Sequence, residues 1–269
     1  MFNSAGDFLI STDTQFSADD RVDGVAINHY VLLFDIDGTL IDSKGAGGGA
    51  LLQAARELFR RSDIQPVPLH GRTDRGIMSE LLEAAGIPAT SENLKQLSER
   101  YFELLEENLK LRGGLVLPGV FELLDQLVQD PRCHLGIVTG NMPQSAQIKL
   151  NHFRLWDYFK FGAYGHDAPQ RRDLCDPAWN SIQQYATTLP AGLSAEFPAK
   201  GERPAHNVVI IGDTVLDVDL ALTMKVRCLA VCTGGCEAQA LAAAGAHHVT
   251  PDLSETEQLL RWFFATHQH

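Results

Sequence analysis

The sequence predicts an α/β protein: a doubly wound parallel sheet with an all-helical domain inserted after its first strand. Three observations carry that expectation. Short apolar runs bounded by turn residues recur along the chain, helical patterns lie between them, and one interval is far too long for a simple crossover. Such runs mark strands buried on both faces, and their alternation with helices calls for a parallel sheet covered on both sides.

Taken in order, residues 1–27 are polar and acidic without a sustained period and read as a loose leader, with 8–11 its one strand-like piece. Order starts at Tyr30-Val31-Leu32-Leu33-Phe34, too short for a helix and wholly apolar. From Ala46 to about Arg112 the chain reads helical throughout, with Leu94, Leu97, Tyr101, Leu104, Leu105 and Leu109 at helical spacing. A crossover between parallel strands needs only ~10–12 residues. Residues 45–115 are therefore a separate helical domain, hung through the glycine-rich stretch 45–49 and the segment 113–118, while 28–44 and 116–269 form the sheet domain. The remaining strands are expected at 134–138, 208–211 and 228–232, with a weaker one at 158–161. Pro143 opens a helix to about Phe153, since proline suits the first helical position. Other helices are expected over 176–186 and after Asp217. A surface loop is expected over 190–204. Ser254 and Glu257 form a capping box for a last helix reaching about Phe264.

Composition narrows the partners. The chain carries 22 Lys plus Arg against 34 Asp plus Glu, a net charge of −12, which argues against nucleic-acid and anionic-membrane partners. No apolar run approaches the roughly 18 residues of a membrane span, and the N-terminal stretch lacks the basic start and apolar core of a secretory signal. Five cysteines do not make a disulfide scaffold, and Cys228, Cys232 and Cys236 lack tetrahedral zinc spacing. A cytoplasmic protein, monomer or homodimer, is expected.

The chemistry sits where the apolar runs end. Asp35-Ile36-Asp37-Gly38-Thr39-Leu40 follows the first strand directly. In an open parallel sheet that edge is where ligands bind. Two carboxylates with no basic neighbour repel each other, so the pair makes sense with a cation between them, and oxygen-only ligands favour Mg²⁺. An Asp-Gly turn is the plain alternative. Thr139-Gly140-Asn141 ends a second run with a hydroxyl and free N–H groups ahead of a helix, a plausible anion cradle or simply a polar turn. Gly212-Asp213-Thr214-Val215-Leu216-Asp217 puts further carboxylates at a third strand end, although either acid could instead cap the next helix.

Residues 34–43, 137–141 and 212–217, in that order, resemble the first, second and fourth motifs of the haloacid dehalogenase-like hydrolase superfamily, closest to its phosphoglycolate-phosphatase-like members with a helical cap. The third motif departs: the usual lysine is missing from Asp167-Ala168-Pro169-Gln170-Arg171-Arg172-Asp173-Leu174, where Arg171 aligns best and Arg172 is the reserve. The resemblance implies a Rossmann-like core with a cap, and a Mg²⁺-dependent phosphatase acting on a small phosphorylated metabolite, phosphoglycolate-like. It implies Asp35 as nucleophile and Asp37 as acid–base. Asp35, the Asp37 carbonyl and Asp213 would hold the metal, with Asp217 behind it. Thr139 and Asn141 would bind phosphoryl oxygens, and Arg171 would stabilise the nucleophile and phosphate. Arg72, in the polar turn His70-Gly71-Arg72-Thr73-Asp74, would bind a substrate carboxylate or second phosphate, or pair with Asp74. A phosphosugar mutase on the same scaffold, or a non-catalytic module whose Asp35 merely accepts phosphate, are the other expectations kept.

Overall fold

The computed structural model describes residues 29–166, 168–190, 197 and 205–265. The leader over 1–27, with its strand-like piece at 8–11, lies outside them, as do Asp167 and nearly all of the loop over 190–204.

The expected fold class holds. The first strand, β1 (Tyr30–Phe34), lies at the middle of a six-stranded parallel sheet. Successive β1 side chains face opposite ways, so Leu32 and Phe34 enter one apolar layer and Val31 and Leu33 the other. Because neither face meets water, an uninterrupted apolar run is the only pattern that fits this position. On one side β1 pairs with β4 (Cys133–Thr139), which pairs with β5 (Phe161–Tyr164). On the other it pairs with β6 (Ala205–Gly212), followed outward by β7 (Val226–Val231) and β8 (His248–Thr250). The chain thus winds away from β1 in one direction and then returns to wind in the other. A strand order that reverses in this way opens a crevice at the C-terminal strand ends.

Four helices lie between β1 and β4: α1 (Ala46–Leu58), α2 (Asp74–Ala84) and α3 (Ser91–Arg112) occupy the stretch that reads helical from the sequence, and α4 (Val120–Gln129) follows it. Pro66, Pro68 and Gly71 interrupt the first gap, Gly86 and Pro88 the second, and none of these sustains a helix. Thr73 caps α2 and Thr90 caps α3, each hydroxyl accepting an N–H of the first turn. The α3 stripe of Leu97, Tyr101, Leu104, Leu105 and Leu109 is buried and packs on α1. Where the chain leaves and rejoins the sheet domain, β2 (Ile41–Asp42) pairs antiparallel with β3 (Leu115–Val116), so both crossings lie side by side. Two-residue strands leave no periodic trace in a sequence.

Two other expectations are corrected. The weak strand at 158–161 begins only at Phe161, because 156–158 close into a short 3₁₀ turn. The last helix, Thr256–Phe264, is preceded by Glu255 without a side-chain cap, so Ser254 and Glu257 form no capping box; Ser254 instead donates its N–H to Asp252. All five cysteines are free, and among the described residues no helix is long and apolar enough to cross a membrane.

At the sheet end away from the strand C-termini, His29 Nδ1 lies 2.9 Å from His134 Nε2, and His134 Nδ1 lies 3.2 Å from the Tyr185 hydroxyl. Burial, reinforced by His29, pushes His134 down to about 4. The unfolded chain then takes up this proton first as the pH falls. Stability from this group is therefore present above about pH 6.5 and is lost as the pH drops towards 4. Melting temperatures recorded across that interval should fall more steeply for the wild type than for His134→Phe.

Candidate active site

Asp35 stands at the C-terminal end of β1, its N–H donating to the Ile211 carbonyl of β6 at 2.9 Å. This bond holds the carboxylate at the reversal of the strand order. Gly38 follows with φ +86, and a Cβ there would lie 2.5 Å from Asp213 Oδ2. Glycine is therefore required twice, for the left-handed backbone and for the approach of the β6 end. The Asp-Gly turn and the functional reading of this motif are one structure. Asp213 also accepts the Thr39 hydroxyl at 3.1 Å.

Carboxylate oxygens of Asp35, Asp213 and Asp217 all lie within 4.8 Å of one another, and the three residues are buried. Burial raises Asp35 to about 6, against the pull of Arg171 and with a push from Asp217. Asp213 is raised well above the usual carboxylate range by burial and by Asp217 and Asp35. Their shared counterion is Arg171, 2.9 Å from Asp35 Oδ1, bonded to Asp217 and donating to the Val138 carbonyl at 3.1 Å. Arg172 turns outward to an exposed ion pair with Asp219, so of the two candidates it is Arg171 that reaches Asp35. Although burial works against it, the two carboxylates hold the Arg171 pKa above its ordinary value. Its buried Nε has no hydrogen-bond partner among the described residues. A buried donor left open is costly.

Asp217 spends its other oxygen on the N–H and hydroxyl of Thr214, forming a capping box at the start of α7 (Val215–Met224). It both caps the helix and faces the cluster. Its Oδ1 is held by Arg171, which leaves Asp35 and Asp213 as the freer oxygen donors. Three buried carboxylates facing a single guanidinium, with oxygen donors only, fit a hard divalent cation such as Mg²⁺.

Asp37 has a cation of its own that the sequence reading missed. Lys149, almost fully buried on α5 (Pro143–His152), donates to Asp37 Oδ2 at 2.6 Å and to Asn141 Oδ1 at 2.7 Å. Asn141 Nδ2 donates to the same Asp37 oxygen at 2.8 Å and to the Thr139 hydroxyl at 2.9 Å. The expectation of two acids without a basic neighbour is thus corrected: each acid has its own cation. The available signal was the buried pair Ser145 and Lys149, four apart beside the apolar Ala146 and Leu150. A lysine on the inward face of a helix is costly unless paired.

Asp35, Asp37, Thr139, Asn141, Arg171, Asp213 and Arg72 all line one cavity of about 440 Å³, roofed by α1 and the turn before α2. Arg72 is already engaged, ion-paired with Glu80 and donating to the Pro68 carbonyl at 3.0 Å. Asp74 is not its partner. Asp74 instead accepts the Met142 N–H at 2.9 Å and the Ser145 hydroxyl at 2.7 Å, and its own N–H donates to the Gly140 carbonyl at 2.7 Å. The Thr73 hydroxyl donates to the Pro169 carbonyl at 3.1 Å. The start of α2 is thereby stitched to the ends of the strands.

A reversing parallel sheet whose strand ends gather acids, an arginine and a hydroxyl defines a phosphate- or metal-handling α/β enzyme class. The chain belongs to the haloacid dehalogenase-like hydrolase family, matched over residues 32–231. It is 29% identical over 135 residues to "Probable phosphatase IndB" of Dickeya dadantii, covering 48% of this chain and 56% of that protein. It is 27% identical over 151 residues to a phosphoglycolate phosphatase of Rhodobacter capsulatus, covering 52% and 64%. The matched stretches thus span under two thirds of these relatives. A solved structure described as a predicted phosphoglycolate phosphatase from Haemophilus somnus shares the fold, with TM-score 0.61 and 16% identity over 87% of this chain and 98% of that one.

Proposed function

We propose that this protein is a Mg²⁺-dependent phosphatase that hydrolyses a small phosphomonoester through an aspartyl-phosphate, with phosphoglycolate as the reference ester. The observation that carries the reading is the convergence of Asp35, Asp37, Asp213 and Arg171 on one cavity.

Asp35 attacks phosphorus, and the bond from phosphorus to the substrate alcohol breaks. Dividing one displacement into two lowers each barrier. Asp37 protonates the departing alcohol. A water then attacks the aspartyl-phosphate, Asp37 removes its proton, and Asp35 and inorganic phosphate are restored. Arg171 holds Asp35 in place and brings positive charge to the phosphoryl group, and the Thr139 hydroxyl donates to a phosphoryl oxygen. Asp35, Asp213 and the Asp37 carbonyl would hold Mg²⁺, with Asp217 behind them. When bound, the ion supplies charge neutralisation for the phosphate. Lys149 and Asn141 fix Asp37 at the mouth of the cavity, where its side chain is 39% exposed and able to meet a leaving group. The acidic composition and five free cysteines accord with a reducing cytoplasmic setting.

The test is phosphate release from a panel of phosphomonoesters with Mg²⁺ and again with a chelator. Release that needs the metal is the expected result, and a silent panel from folded protein would reject the proposal. Lys149→Met should lower kcat by roughly 10- to 100-fold, part of the ~10²–10⁴ that positioned acid–base catalysis contributes. Steady-state rates beside Lys149→Arg, which keeps the charge and should recover part of the loss, check this.

A further inference from the structure

The reading above leaves the alcohol portion of the substrate open, and a second cavity bears on it. A cleft of about 230 Å³ adjoins the phosphate cavity, and the two share Gly45, Gly48, Leu51, Leu69 and Ile77 as lining. Leu69 is the common wall. Its side chain lies on the bare Cα of Gly48, where an added Cβ would come within 2.3 Å of Leu69 Cδ1. Beyond Leu69 the cleft continues over Leu52, Pro66, Val67 and Leu81. Arg112 is its one charged lining residue, and that guanidinium is turned to Asn108 Oδ1 and the Lys44 carbonyl.

The charges of the phosphate cavity point the same way. Each lysine and arginine that lines it already faces an acid: Arg171 faces Asp35 and Asp217, Lys149 faces Asp37, and Arg72 faces Glu80. A second acidic group close to the ester would therefore find no unpaired lysine or arginine in the lining, whereas a hydrocarbon arm needs only the apolar wall that is present.

Resting on the phosphatase reading, we infer that the natural substrate is the phosphomonoester of an alcohol with an uncharged, apolar arm, and that this arm runs past Leu69 into the cleft. Leu69 and Val67 are then residues that set specificity. The reacting end remains as small as in phosphoglycolate.

The experiment measures kcat/KM with Mg²⁺ for phosphoglycolate and for ethyl, butyl and hexyl phosphate. Each methylene removed from water in the cleft should raise kcat/KM by about fourfold, so hexyl phosphate, with four more methylenes, should exceed ethyl phosphate by up to about 250-fold. Val67→Trp, which fills the cleft from a half-buried loop position, should reduce the hexyl-to-ethyl ratio several-fold. Leu52→Phe provides a second filling variant should the first fail to fold. Metal-dependent hydrolysis of the short esters with no gain along the series would overturn the inference and leave the phosphatase reading standing. The same holds for a gain that both filling variants leave intact. Hydrolysis of none of the esters would overturn both.

Discussion

Asp35→Asn is expected to abolish turnover, with phosphate release falling by on the order of 10⁴-fold or more, because the amide removes the nucleophile on which the proposed aspartyl-phosphate forms. The same substitution should leave the fold intact. Asp35 is a buried acid whose pKa is raised to about 6, so its ionised form at neutral pH is held at a cost. Asparagine removes that cost and leaves Arg171 paired with Asp217. The melting temperature should therefore hold or rise while activity disappears. Rates and melting curves measured on one preparation test both halves, and appreciable turnover by the variant would remove Asp35 as nucleophile.

Arg171→Met is expected to do the opposite to stability. It strips the counterion from Asp35 and Asp217 together, both buried. Removing one partner of a buried ion pair typically costs about 3–5 kcal/mol. For a chain of this size that lowers the melting temperature on the order of 10 °C. Activity should fall by roughly 10²–10³ as well, the usual effect of losing one preorganised donor to a developing charge. Mg²⁺ should return part of the lost stability by supplying positive charge to the same carboxylates. An Arg171→Met protein that melts like the wild type and keeps its rate within a few-fold would show that the guanidinium is neither counterion nor catalyst.

What the sequence made legible follows from burial on both faces. β1, β4, β6 and β7 announce themselves because each carries an unbroken apolar run, at 30–34, 135–138, 208–211 and 228–231, and the acids that follow β1 and β6 mark one edge of the sheet. Asp35, Asp37, Thr139, Asn141 and Asp213 could be picked out at the strand ends, whereas Arg171 was reached only through the family resemblance. Partners arriving from elsewhere could not be picked out. Lys149 meets Asp37 across 112 residues, so its inward place on the helix was legible but the acid it meets was not. The engagement of Arg72 with Glu80 depends on how the turn enters α2, and that angle has no sequence signature. The late start of β5 was hidden because Gly162 sits among its residues and the aromatic run before it closes into a turn.

The stitching of Asp74 to Gly140, Met142 and Ser145 divides the two acids mechanically. Asp35 is anchored to the sheet, whereas Asp37 is gripped by Asn141 and Lys149, which flank the very residues that Asp74 holds. A movement of the helical roof that carried α2 with it would therefore reach Asp37, through residues 140–149, by a shorter chain of contacts than it would reach Asp35. In the proposed reaction, release of product and transfer of the proton would then depend on the same joint.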